Sequence, residues 1–224
     1  MDDDEFDRAA IAAVFEQAAL RGWRDVSLVE AGQDAGLDLA RLRRRFPSRG
    51  AVLMRFGAEV DGAALAGVPD GTPRERLFDI LMNRFEALQR HREGVRALLS
   101  ALPIDPAAST LLYAGTMRSM KWLLEGAGVP ATGLSGALRV QGLFAVWLYA
   151  LRAWEKDDSP DLSGTMAAVD RGLDRVMQAE RSLPGRAPDP MDPIVEPEPA
   201  AEPDPPAMIG DDPAAASGVI GPAG

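Results

Sequence analysis

The tetrapeptide Thr72-Pro73-Arg74-Glu75 reads as the start of a helix and as little else. A threonine hydroxyl caps free N–H groups, and proline suits the first helical position because its missing N–H has no partner to lose. A glutamate three residues after the cap reaches back to it. Leu77, Phe78, Leu81, Met82, Phe85 and Leu88 then keep the period of a helix with one buried face. The same grammar recurs along the chain. Ile11, Val14, Phe15 and Ala18 form an apolar stripe over about residues 8–20, stopped by Gly22. Ser27 stands three residues before Glu30, the spacing of a reciprocal cap, and Gly36 ends that helix. Asp38 caps a further helix that must stop at Phe46, because Pro47 follows, and Ser48 caps the next. Pro103 and Pro106 interrupt the chain again, and helices are expected over 111–124, 135–154 and 160–181. No stretch sustains a period-two alternation between turn signals, so the expected fold class is all-α.

Composition works by exclusion. Apolar residues make up 46% of 224, enough for a sizeable core, but there is no cysteine and His91 is the only histidine. These absences remove disulfides, thiolate metal sites and almost every histidine relay. With no Gly-rich phosphate loop after a strand and no evident carboxylate pair, neither enzyme activity, a metal nor a cofactor is expected. His91, between Arg90 and Arg92, reads as a solvated surface residue. The formal charge of -10 sits largely at the ends: leaving out the five carboxylates of the first seven residues and the eight from Asp189 onward brings it to about +3. The start MDDDEFD is acidic where a secretion signal is basic and then apolar. The longest strongly apolar run, 143–151, is about half of a membrane span. A cytoplasmic protein without integral membrane association is expected. From Pro184 on, Pro, Ala, Asp, Glu and Gly dominate, and such a segment buries too little to offset its ordering entropy.

The segment 36–49, GLDLARLRRRFPSR, carries the main functional signal. A short helix, a tight turn at Gly36 and a second short helix are the parts of a helix-turn-helix, whose second helix enters a major groove. Leu39, Leu42 and Phe46 share the buried side of that helix, so Arg41, Arg44 and Arg45 point outward, with Arg43 at the edge. The arginine fork binds two phosphate oxygens or the two acceptors of guanine. A run of charge can also do no more than solubilise an exposed helix.

The region from Ile11 to Val60 resembles the DNA-binding domain of the TetR family of bacterial transcriptional regulators. The resemblance rests on Gly22-Trp23 after the first helix, the Gly36-Leu37 turn and the junction Phe46-Pro47-Ser48-Arg49. It implies a dimeric regulator in which Arg41, Arg43, Arg44, Arg45, Ser48 and Arg49 engage double-stranded operator DNA, under control of a small apolar ligand held by a larger C-terminal helical domain. Two positions depart from the family: Asp38 stands where a serine is common after the turn, and Arg43 where a tyrosine is common. Asp157 to Met177, with Trp122, is also similar to the TetR-like lipid-binding accessory protein of ubiquinone biosynthesis, which implies an alternative function without DNA. The acidic part of that stretch is equally well read as a cap for the last helix. That family's tyrosine-rich segment and C-terminal membrane helix are both missing.

Two further expectations concern the C-terminal helices. The segment LFAVWLYALRAW is apolar nearly all round, and a homodimer contact through it and the final helix would cover it. Phe144, Leu148, Leu151, Met166 and Leu173 are the candidates for that interface. Met82, Phe85, Met117, Met120, Trp122 and Trp147 are candidates to line a pocket, since methionines and aromatics adapt to apolar ligands; such a set is also what an ordinary core looks like. The chain thus divides into an acidic flexible N-terminus (1–7), a three-helix helix-turn-helix domain (8–56), a helical ligand-binding and dimerisation domain (57–183) and a disordered tail (184–224).

Overall fold

The structure, a computed structural model, describes residues 1–181. Its first helix, α1 (Asp3–Arg21), begins inside the segment expected to be flexible. Asp2 accepts from the Glu5 N–H at 2.7 Å and Glu5 returns a bond to the Asp2 N–H at 2.9 Å, a complete reciprocal cap. Asp3, Asp4 and Glu5 then lie at the positive end of the helix dipole. Five carboxylates in seven residues are therefore helix-starting rather than helix-breaking, and 1–7 belongs to the folded head.

A single turn of 3-10 helix at Trp23–Asp25 leads to α2 (Leu28–Asp34), α3 (Leu39–Arg45) and α4 (Arg49–Leu65). Ser27, Asp38 and Ser48 each accept from the backbone N–H three residues on, as their positions predict. Glu30 does not reach back to Ser27; it pairs with Arg21 at 2.5 Å. Thr72 opens α5 (Pro73–Gln89) with the full reciprocal cap. The chain breaks at Arg90–His91, a stop that the apolar period did not reveal, and α6 (Arg92–Ala101) follows. Asp105 caps α7 (Pro106–Gly126), which starts a turn and a half before the first apolar residue of its stripe. After it come α8 (Gly133–Trp154) and α9 (Ser163–Arg181). No strand occurs among the described residues. The tail expected over 184–224 lies outside them.

The last helix begins at Ser163, not at Pro160; the Ser159 hydroxyl, as expected, accepts from its first N–H, that of Ser163, at 3.1 Å, and Asp157 rather than Asp158 is the carboxylate that joins it. The Asp157 carboxylate accepts from the Thr165 N–H at 2.6 Å, the Thr165 hydroxyl at 2.8 Å and the Ser159 hydroxyl. Burial works against its charge, but the bonds from Ser159 and Thr165 outweigh it and hold the acid at about 2. Arg92 of α6 ties the preceding corner down through the Trp154 and Asp157 carbonyls, at 3.0 and 2.8 Å.

The head and the remaining helices share one core. α4 runs through the boundary at 56/57, and α1 lies against α6. At that seam Gly94 is so close to α1 that a Cβ there would sit 2.3 Å from the Phe15 carbonyl oxygen. His91 closes the same seam. Its ring stacks on Phe15 at 5.5 Å and meets the edge of Phe56 at 5.8 Å, so it is a half-buried packing residue and not a solvated one. Burial, helped by Arg90, depresses its pKa. On the far side α8 pairs along α9, and Phe85 of α5 stacks on Trp147 of α8 at 4.6 Å. At 22 residues α8 matches a membrane span by length and composition, although its apolar run looked too short; one third of that stretch is buried against the other helices.

Candidate functional site

The turn between α2 and α3 is built from backbone bonds. The Leu37 N–H reaches the Gly32 carbonyl at 2.8 Å and the Gly36 N–H the Gln33 carbonyl at 3.0 Å, while Gly36 takes φ +64°. That is a Schellman motif, whose left-handed residue favours glycine. Leu37, Leu42 and Phe46 are buried beneath it, so α3 is fixed on its apolar side and presents its polar side outward.

The arginines of that polar side are not equivalent. Arg41 donates to the Asp3 carboxylate at 2.5 Å and to the Met1 and Asp2 carbonyls, with its guanidinium 4.4 Å above the Phe6 ring. Arg45 forks onto Asp7, which is 2% exposed, and pairs with Asp3 at 2.7 Å. The hydrogen bonds that Arg45 donates to Asp7 first, then the charges of Asp7 and Asp3, hold the Arg45 pKa above its ordinary value, against burial. The bond from Arg41 holds Asp3 below the usual carboxylate range. Asp7 also pairs with Arg55 of α4 at 2.9 Å. Two of the three arginines read as outward-pointing, Arg41 and Arg45, are therefore tied to the acidic first turns of α1.

Arg43 and Arg44 are exposed. Arg43 donates to the Pro47 carbonyl at 2.7 Å, and Arg44 has no ion-pair or hydrogen-bond partner among the described residues. Arg49 is turned inward onto the Trp23 and Arg24 carbonyls, both at 2.7 Å. Ser48 spends its hydroxyl as the cap of α4, and Asp38 is likewise consumed as the cap of α3, accepting from the Arg41 N–H at 2.6 Å. The acid in place of the family's serine is thus occupied by its own helix.

A cavity of about 290 Å³ opens between α4, α5 and α7. Leu53, Met54, Leu65, Leu111 and Leu112 give it apolar walls, and Asp61, Arg84, Arg118 and Ser119 are among its polar lining. Arg84 is 5% exposed and forms an ion pair with Asp61, whose other oxygen accepts from the Ser119 hydroxyl at 2.5 Å. The Arg84 guanidinium also lies 4.7 Å from the Trp147 ring centroid. Burial pushes the pKa of Arg84 down, against the attraction of Asp61. A second, smaller cavity of about 70 Å³ shares Leu53, Arg84 and Thr116 with the first.

The residues expected in a pocket fare unevenly. Trp122, 61% exposed, lines the larger cavity and Trp147 the smaller one. Phe85 and Met120 are fully buried core, and Met82 and Met117 pack half-buried against that core without lining either cavity. Asp61, Arg84 and Arg118 were missed: each is an ordinary polar residue on a helix, with no sequence signal to mark it.

Of the expected interface residues, Leu148 and Met166 are exposed, and Phe144 is half-buried edge-on to Tyr113. Leu151 lines the small cavity, and Leu173, 2% exposed, is part of this chain's own core and drops out as an interface candidate. Leu134, Leu138 and Tyr149, not singled out from sequence, extend the exposed apolar face of α8.

Neither a protein-family model nor a curated protein sequence matches the chain. Solved structures do. A TetR transcriptional regulator from Nitrosomonas europaea is 21% identical, covering 78% of this chain and 99% of its own, with a TM-score of 0.64. A TetR-family regulator from Streptomyces coelicolor is 17% identical over 80% and 83%, with a TM-score of 0.57, and a TetR regulator from Rhodococcus sp. RHA1 is 16% identical over 79% and 97%, at 0.51. The chain has the all-α fold of TetR-family transcriptional regulators.

Proposed function

We propose that this protein is a cytoplasmic, homodimeric TetR-type transcriptional regulator that binds double-stranded operator DNA through α3 and is controlled by a small ligand in the α4–α5–α7 cavity. The observation that carries the reading is the pair of helices α2 and α3 around the Gly36 turn, with Arg43 and Arg44 exposed on α3. The turn fixes the angle at which a recognition helix meets a groove, and exposed guanidinium groups with N–H donors to spare are what phosphate and guanine require. Leu134, Leu138, Leu148 and Met166 on α8 and α9 supply an apolar face for a two-fold four-helix contact. A ligand shifts the spacing of two such heads to the extent that it binds one arrangement better than the other.

The lipid-binding accessory reading loses its main support, because the acidic stretch after Trp154 is accounted for by the cap on α9. The test is binding of genomic fragments at two salt concentrations by the wild type and by Arg43→Ala/Arg44→Ala. Selective enrichment that weakens with salt and is lost in the variant is the expected result. A folded dimer that enriches nothing would remove the operator from the proposal and leave lipid binding, to be sought as co-purified quinone-like lipid.

A further inference from the structure

The charge inside the larger cavity is unbalanced. Its charged lining is Arg84 and Arg118 against the single carboxylate of Asp61. That carboxylate is divided, one oxygen to Arg84 and the other to Ser119. A guanidinium carries five N–H donors, yet the only hydrogen-bond acceptor of Arg84 among the described residues is one oxygen of Asp61, and its buried Nε has no partner. Arg118 is exposed on the same cavity and has no ion-pair partner among the described residues. A buried cation is costly unless it is both paired and fully hydrogen-bonded, so Arg84 is a site with capacity left over.

We propose that the cavity takes a small apolar carboxylate, its head on the guanidinium of Arg84 with Arg118 assisting and its tail along Leu53, Met54, Leu65 and Leu111. This rests on the reading of the cavity as a ligand site and names the ligand's chemical class. A carboxylate matches the two-pronged guanidinium and supplies the acceptors that Asp61 cannot. A monoanion brings two cations and one carboxylate to neutrality, whereas a dianionic phosphate would leave an uncompensated charge beside leucines. At about 290 Å³ the cavity lies at the lower end of the range for ligand sites, about 300–1,000 Å³, which suits a medium-length chain with a compact head.

The probes are octanoate, octan-1-ol and octylamine, titrated calorimetrically into the full chain at neutral pH. Octanoate should bind at least about ten-fold more tightly than either neighbour, the advantage of a hydrogen bond to a charged group in a desolvated site. Arg118→Ala, a change at an exposed position, should reduce that preference. Arg84→Met/Asp61→Leu, which removes both buried charges and keeps the bulk, should abolish it while octanol still binds; Ser119 retains its bond to the Gly115 carbonyl at 3.1 Å. Equal binding of octanoate and octanol would overturn the carboxylate and leave the cavity an apolar site. Preference for octylamine would reverse the sign of the charge argument. Binding of none of the three would overturn the cavity as a ligand site. An octanoate preference indifferent to both variants would place the binding elsewhere.

Discussion

The two arginine-bearing regions of this chain use the same side chain in opposite ways. On α3 the guanidinium groups are half-buried or exposed, and two of the four are answered by carboxylates from residues almost forty positions earlier. In the cavity Arg84 is buried and has one shared carboxylate for company. The Arg41–Asp3 pair is open to solvent, screened and contributes little to stability, whereas Arg45 is held on the buried Asp7, and a buried pair costs several kcal/mol if one partner is taken away. The charges of Arg41, Arg43 and Arg44 are therefore available for exchange with a partner outside the chain, and the charge of Arg84 in the cavity is committed to the fold.

Breaking the buried pair gives the largest expected effect. Arg84→Ala leaves Asp61 with the Ser119 hydroxyl but without its cation, and should lower unfolding stability in urea by about 3–5 kcal/mol. Arg84→Met/Asp61→Leu should fall within about 1–2 kcal/mol of wild type, because both charges leave together. If the single and double variants are equally damaged, packing and not charge governs the site, and the contrast with α3 collapses.

The seam between the regions comes next. Gly94→Ala places a Cβ against the backbone of Phe15, which cannot move aside as a side-chain tip would. The expected loss is about 2–3 kcal/mol, with α1 and α6 forced apart. An effect below about 0.5 kcal/mol in the same urea experiment would mean that the head is not seated on α6 as closely as described.

Legibility follows the range of the interaction. Caps at Ser27, Asp38, Ser48 and Thr72 involve neighbours three residues apart, and sequence spacing was enough to find them. The Gly36 turn and, except for Leu39, which the structure leaves exposed, the buried side of α3 were readable for the same reason. The partners of Arg41 and Arg45 were not, since an acidic N-terminus looks identical whether it is loose or folded onto the next arginine run. Arg84 was invisible because a polar residue among Met82, Phe85 and Leu88 breaks no period. Met82, Phe85, Met117 and Met120 looked like pocket because composition marks adaptability and not position.

A smaller effect should separate stability from DNA binding on the head. Asp3→Asn removes an exposed acid of α1 that faces α3, leaving Arg41 only the Met1 and Asp2 carbonyls while Asp7 still holds Arg45. The unfolding midpoint should not change, and affinity for a selected DNA fragment should rise several-fold, since a negative charge no longer faces phosphate. Weaker DNA binding by this variant would show instead that Asp3 orients Arg41 for contact and does not compete with it.

The smallest effect concerns His91, where head and body meet. Its pKa is depressed in the folded state by burial and Arg90, so below the unfolded value of about 6.5 the unfolded chain binds the proton more readily. Stability from this residue is complete above that pH and is lost as pH falls toward the folded pKa. The change should amount to at most about 1 kcal/mol, since solvent still reaches part of the ring. Glu59, raised above the ordinary carboxylate range by burial, contributes with the opposite sign at the acid end of the window, so a single profile would mix the two. The difference between wild type and His91→Phe isolates the imidazole, because it is the chain's one histidine and phenylalanine keeps the contact with Phe15. The two stability curves should run parallel above about pH 7 and separate below it, with the variant falling less. Parallel curves throughout would mean that His91 takes up its proton in place, and that the seam between α1 and α6 is open enough to hydrate it.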